Sequence, residues 1–168
     1  MTQHLVLTVI GDDRPGLVEA LSHVVAEHQG NWSESRMAHL ADKFAGIVTV
    51  EVPKEHEQGL IKALQALSSV GLKVSVEAAS RRAYSDEVVV LSVMGNDRTG
   101  IIREVSKTLS SLGANVIDLN SYCEPAPMSS EMLFKAELEI TLPSNLSARD
   151  LEKAVEQISS DLVVELAE

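Results

Sequence analysis

The apolar residues fall into two rhythms that alternate along the chain. Leu5-Val6-Leu7-Thr8-Val9-Ile10 and Val88-Val89-Val90-Leu91-Ser92-Val93-Met94 are β-branched and aliphatic runs, each ended by a glycine, and both predict strands. Leu17, Val18, Leu21, Val24 and Val25 then recur at i, i+1, i+4, i+7 and i+8, which predicts a helix with one buried face. Ile101, Ile102, Val105, Leu109 and Leu112 predict the same, with the two helices stopping near Gly30 and Gly113. A period of two follows: Val48, Val50 and Val52 alternate with Ile47, Thr49 and Glu51. Farther on, Phe134, Ala136, Leu138, Ile140 and Leu142 alternate with Lys135, Glu137, Glu139 and Thr141, a strand with one wet face. The connection before this strand is short around Ala41-Asp42-Lys43 and longer, as an exposed loop, over residues 124–130. Helical spacing returns at Leu60, Ile61, Leu64 and Leu67 and at Leu151, Ala154, Val155 and Ile158. Leu72 to Glu77 and Leu162 to Leu166 predict the closing strands.

An offset of 84 residues, half of the 168, aligns the first strand, the glycine-bracketed loop and the first helix of the two halves without a gap. It aligns Gly11 with Gly95, Asp13 with Asp97, Arg14 with Arg98, Gly16 with Gly100, Ser22 with Ser106 and Asn31 with Asn115. The order is β-α-β-β-α-β twice, so the expected class is α+β: two ferredoxin-like domains, each an antiparallel sheet with helices on one face. The expected domains are residues 1–82 and 87–168. The stretch from Arg81 to Asp86 is too short for a flexible tether, which predicts that the halves pack together.

Composition narrows the function. With 45% hydrophobic and 23% charged residues the chain is globular, and with 3% aromatics its core is aliphatic. A net charge of -11 argues against direct nucleic-acid binding and against anionic membranes. The single cysteine, Cys123, fits a reducing compartment. Leu5 to Ile10 is too short for a signal-peptide core, and nothing reaches the roughly 20 apolar residues of a spanning helix, so a cytoplasmic location is expected.

The candidate chemistry lies in two loops, Gly11-Asp12-Asp13-Arg14-Pro15-Gly16 and Gly95-Asn96-Asp97-Arg98-Thr99-Gly100. A phosphate-binding loop would continue with Lys and Ser or Thr, but Gly16 is followed by Leu17 and Val18, and Gly100 by Ile101 and Ile102. The dinucleotide spacing G-x-G-x-x-G is absent as well. Capping offers a plainer role: Asp12 or Asp13 bonding the free N–H groups of the first turn, with Pro15 inside that turn. Capping does not account for the joint recurrence of Asp13, Gly16 and Asn31 as Asp97, Gly100 and Asn115. We therefore expect Asp13 and Asn31 to bracket one helix N-terminus, which offers N–H donors to a carboxylate and an acceptor to an ammonium. A zwitterionic amino acid carries both groups.

D-R-x-G opening the first helix and G-x-N or G-A-N opening the second strand, within two β-α-β-β-α-β units, resemble tandem ACT domains over nearly the whole chain. Asp13-Arg14-Pro15-Gly16, Asn31 and Ser35-Arg36-Met37-Ala38 more narrowly resemble the glycine cleavage system transcriptional repressor family. The resemblance implies a non-enzymatic regulator with no cofactor and no metal. It would sense a small amino acid, glycine foremost, where halves or subunits meet, and act on glycine cleavage genes through a separate DNA-binding regulator. It implies ligand contacts at Asp13, Pro15, Gly16, Leu17 and Asn31, and at Asp97, Gly100, Ile101 and Asn115, in a homo-oligomer. Thr99 stands where the first loop has Pro15.

Other functional classes fit the residues less well. An acylphosphatase would need Arg14 or Arg98 in a phosphate loop, which the acidic neighbours oppose. His4, His23, His28, His39 and His56 lack zinc-site spacing. Cys123, beside Tyr122 on a predicted strand, fits packing better than nucleophilic attack. Ser106 to Asn115 resembles the turn of a helix-turn-helix, but Val116-Ile117-Asp118-Leu119 is strand-like and no basic face accompanies it. An assembly module regulating an enzyme without any ligand is the alternative function. Trp32 suits core or interface packing as well as a ligand wall.

Overall fold

The computed structural model describes residues 1–80 and 86–167. The chain divides into two compact units, Met1–Arg82 and Ala83–Glu168, each with its own core. Most of the short connection considered above lies outside the described residues.

In the first unit the valine- and leucine-rich run forms β1 (Thr2–Asp12), followed by α1 (Leu17–Glu27), β2 (Asn31–Leu40), β3 (Lys43–Pro53), α2 (Lys54–Ala66) and β4 (Leu72–Ala78). A short 3-10 turn, Leu67–Val70, extends α2. The sheet order is β2-β3-β1-β4, antiparallel throughout. The second unit repeats it with β5 (Glu87–Asn96), α3 (Ile101–Ser111), β6 (Asn115–Pro125), β7 (Met132–Leu142), α4 (Ala148–Glu156) and β8 (Val163–Ala167), in the order β6-β7-β5-β8. This is the ferredoxin-like plan expected from the two periods.

One face of each sheet is buried because alternate strand residues are aliphatic. Leu5, Leu7, Val9, Val48, Val50 and Val52 meet Leu17, Leu21 and Val25 of α1 and Leu60 and Leu64 of α2 in one cluster. In the second unit Leu91, Val93, Leu138 and Ile140 meet Val105, Leu109, Leu151 and Val155. Both helices therefore cover the same face, and the other face of each sheet carries the alternate residues.

Several expectations need correction. Val18 is 46% exposed because the i+1 position lies off the buried stripe. Thr141, expected on the wet face, is 3% exposed, and its hydroxyl donates to the Asn115 carbonyl at 3.4 Å. In α1 the left-handed residue past the end is Gln29 (φ 57), whereas α3 uses Gly113 (φ 76) there. Gly30 is needed for space instead, since a Cβ would lie 2.8 Å from the Val25 carbonyl oxygen. The short hairpin turns through Ala41 and Asp42 with φ 49 and 61, the positive pair that a type I′ turn requires.

Trp32, the single tryptophan, packs against the first core and reports on it. Leu21 is fully buried there. Leu21→Ala should lower the unfolding free energy read by Trp32 fluorescence in urea by about 2–5 kcal/mol.

Candidate functional site

Each repeated loop runs from the end of the first strand to a glycine in the left-handed region. Gly16 has φ 93 and ψ 0, Gly100 φ 92 and ψ 4, so Pro15 and Thr99 give the same backbone. A Cβ at either glycine would meet nothing within 4 Å; the requirement is the dihedral angle rather than room. The glycine is itself the N-cap, its carbonyl accepting from Ala20 at 2.9 Å and from Glu104 at 3.0 Å respectively.

No side chain caps α1 or α3, in contrast to α4, where the Asp150 N–H donates to Ser147 Oγ at 3.1 Å. The expected capping by Asp12 or Asp13 is thus absent, because the left-handed turn at Gly16 separates those residues from the first turn. Pro15 precedes the cap and lies outside the helix. The first-turn N–H groups from Leu17 and Ile101 onward are left available, at the positive end of each helix.

The loop aspartates are held from another direction. The Asp13 N–H donates to the Asp42 carbonyl at 2.9 Å, and the Asp97 N–H donates to the Met132 carbonyl at 2.8 Å. His39 Nδ1 lies 2.5 Å from Asp13 Oδ2. At the position 84 residues later, Cys123 faces Asp97: lost hydration, the nearby Asp97 charge and a hydrogen bond to that carboxylate raise the thiol above its ordinary range. A thiol held protonated is a poor nucleophile, but Cys123 is exposed, so the packing role expected for it is corrected. Sequence reasoning missed both partners, although the same offset that aligned the loops also aligns His39 with Cys123.

The arginines diverge. Arg14 donates to the Val70 carbonyl of the 3-10 turn, while Arg98 donates to Glu104 Oε2 at 2.7 Å. Glu104 holds the Arg98 guanidinium above its ordinary range and is itself held lower. Ala20 occupies the corresponding place in the first unit, so Arg14 finds a backbone partner instead. Lys43 bonds Asp12 and lowers that carboxyl.

Asn31 and Asn115 do not join these loops. Asp12 pairs with Lys43, whereas Asn31 pairs with Glu51, which in turn faces His4 near the start of β1. Eight steps along β3 separate the two positions, about 27 Å of strand. In the second unit Asn96 pairs with Leu133, and Asn115 with Thr141. The helix returns along the sheet before the second strand begins, so each asparagine sits at the opposite end of its unit. The expected bracketing of one helix start by Asp13 and Asn31 is therefore corrected. Within each unit the loop brings together only Asp13, Pro15, Gly16 and Leu17, or Asp97, Gly100 and Ile101.

Among the described residues no group of three or more His, Cys, Asp or Glu could hold a metal ion, and no helix is long and apolar enough to cross a membrane. A family model for the ACT domain matches residues 3–77. The UPF0237 protein of Methanopyrus kandleri is 36% identical over 72 residues, spanning 43% of this chain and 79% of that protein. A UPF0237 protein of Methanococcus maripaludis is 32% identical over 78 residues, 45% of this chain and 87% of that protein. Among solved structures, an unknown protein from Galdieria sulphuraria superimposes with a TM-score of 0.87 at 28% identity, over 99% of this chain and 98% of that one. A candidate glycine cleavage system transcriptional repressor shares the fold, with a TM-score of 0.74 at 19% identity over 99% and 97% of the two chains.

Gly16→Ala should lower stability by about 1–2 kcal/mol, the general cost of a left-handed L-residue. Asp13→Ala should cost less than the roughly 0.5–2 kcal/mol of a lost helix cap. Urea titration followed at Trp32 orders the two.

Proposed function

This chain belongs to the ACT domain family, and from that membership we propose that it is a non-enzymatic sensor of a small amino acid, with glycine the first candidate. The family is a regulatory one, and the fold of two ACT-type units is shared with the candidate glycine cleavage repressor. The single observation that carries the ligand reading is the pair of uncapped helix starts, each with a carboxylate residue three positions before its left-handed glycine. An α-carboxylate would accept from the N–H groups at Leu17 or Ile101, and Asp13 or Asp97 would accept from the ammonium. Pro15, Gly16 and Gly100 shape the approach. Asn31 and Asn115 are too far along the sheet to contact the same ligand within one unit. The domains are residues 1–82 and 87–168.

The wider role is regulation of glycine cleavage genes in the cytoplasm through a separate DNA-binding regulator. The charge of -11 supports an indirect route, because a protein that neutralises DNA phosphates needs a basic face. Homo-oligomerisation fits a protein that transmits occupancy to a partner. No cofactor enters this scheme.

Glycine has five non-hydrogen atoms, so binding of at most about 7.5 kcal/mol follows from a ceiling of about 1.5 kcal/mol per atom, which puts Kd no tighter than roughly micromolar. A site of that strength empties as the metabolite falls. Isothermal titration with glycine, alanine and serine should give heat at micromolar to millimolar concentrations, reduced in Asp13→Ala and unchanged in Asn31→Ala. Absence of heat with all twenty amino acids at millimolar concentration would refute sensing while leaving the fold intact. Loss of binding in Asn31→Ala would mean that the site draws that residue from a second copy of the chain.

The same charge argument gives a second expected outcome. In a mobility-shift assay the protein alone should leave promoter DNA unshifted, and should alter its occupancy only with a DNA-binding regulator present. Sequence-specific shifts by the protein alone would contradict the indirect route.

A further inference from the structure

The face of the second sheet turned away from its helices carries a depression of about 280 Å³. Two rows of side chains build it, set by strand register. In one row Asn120, Glu137, Ser92 and Glu165 lie side by side across β6, β7, β5 and β8. In the next row Tyr122, Lys135, Met94 and Val163 do the same. Leu91, Val93, Ala136 and Val164 between them point into the core, so the period of two aims both rows outward.

The charges in these rows are unbalanced. Lys135 also lines the depression, but its ammonium is paired with Glu124, which holds it above its ordinary range. Among the described residues Glu137 and Glu165 take part in no ion pair, and their register neighbours on this face are the uncharged Ser92 and Asn120. They flank Ser92 two strands apart, about 10 Å between backbones, close enough for their side chains to converge on one group. Tyr122 and Val163 stand beside them, 55% and 48% exposed. The matching rows of the first unit read Arg36, Ile47, Thr8, Ser75 and Ala38, Ala45, Ile10, Lys73, with no carboxylate and no aromatic. The feature is particular to the second unit and does not follow from the fold.

We propose that this open sheet face is a docking surface for a partner protein, which seats an arginine side chain between Glu137 and Glu165 with its apolar neighbours on Tyr122, Met94 and Val163. The depression, about 280 Å³, has room for one anchoring side chain. Arginine suits it better than lysine. A guanidinium has five N–H donors in a plane, enough to serve two carboxylates at once, and it stacks on a tyrosine ring. This surface is separate from the helix starts and stands whether or not they bind an amino acid.

The test uses the full chain, labelled with nitrogen-15, and three capped tripeptides, acetyl-Val-X-Val-amide with X arginine, lysine or the uncharged isostere citrulline. The arginine peptide should shift the amide signals of Ser92, Asn120, Tyr122, Glu137 and Glu165, more than the lysine peptide does, and the citrulline peptide should not. Glu137→Gln with Glu165→Gln should weaken the arginine peptide about tenfold, equivalent to about 1.4 kcal/mol. The wild-type peptide series decides the matter even if the double variant folds poorly. No shift in that row at millimolar arginine peptide, or equal shifts with citrulline, overturns the proposal. So does a double variant that changes the oligomeric state without any peptide effect, since the face would then serve contact between copies of this chain.

Discussion

The chain must reverse direction between its first strand and its first helix, and in both units it does so through a residue in the left-handed region. Gly16 and Gly100 have φ within a degree of each other. Almost everything particular to the loops follows from that dihedral angle. The glycine becomes the N-cap, so no side chain can fold back to bond the first turn, and the helix starts with its N–H groups available. The preceding residue is released from helical geometry, which is why proline and threonine serve equally. The aspartate is turned toward the hairpin, where its own N–H is fixed by a backbone carbonyl and its carboxylate meets His39 or Cys123.

The two units agree in backbone and differ in chemistry. The first loop is tied by Arg14 to the 3-10 turn and by His39 to Asp13; the second is tied by Arg98 to Glu104 and by Cys123 to Asp97. The open sheet faces diverge further, apolar and basic residues in one against an acidic and aromatic pair of rows in the other. Duplication supplied two scaffolds with the same buried layer, and the residues outside that layer were free to specialise.

The fold was legible because burial imposes simple periods. Val48, Val50 and Val52 could only be a strand with one covered face, and Leu17, Leu21 and Val25 a helix laid on it; all six are buried. Loop chemistry was half legible. Recurrence of Asp13 and Gly16 pointed to the right loops, but capping was inferred from residue types alone, and the dihedral angle at Gly16 decides against it. The placement of Asn31 was misread for a topological reason: a helix that crosses the sheet delivers the next strand to the far end, however close the residues are in sequence. His39 and Cys123 were missed because histidine and cysteine share no chemistry that a residue-by-residue comparison would align. Strand pairing, which sets the rows at Glu137 and Glu165, involves residues far apart in the chain and leaves no local signature.

The central claim is that a small amino acid occupies the helix starts. Nitrogen-15 amide spectra recorded during a glycine titration test it most directly, because they read the proposed donors themselves. Saturable shifts at Leu17 and Val18, or at Ile101 and Ile102, with the asparagine amides of Asn31 and Asn115 unmoved, are the predicted result. Spectra unchanged at those amides up to tens of millimolar glycine, alanine or serine would contradict it.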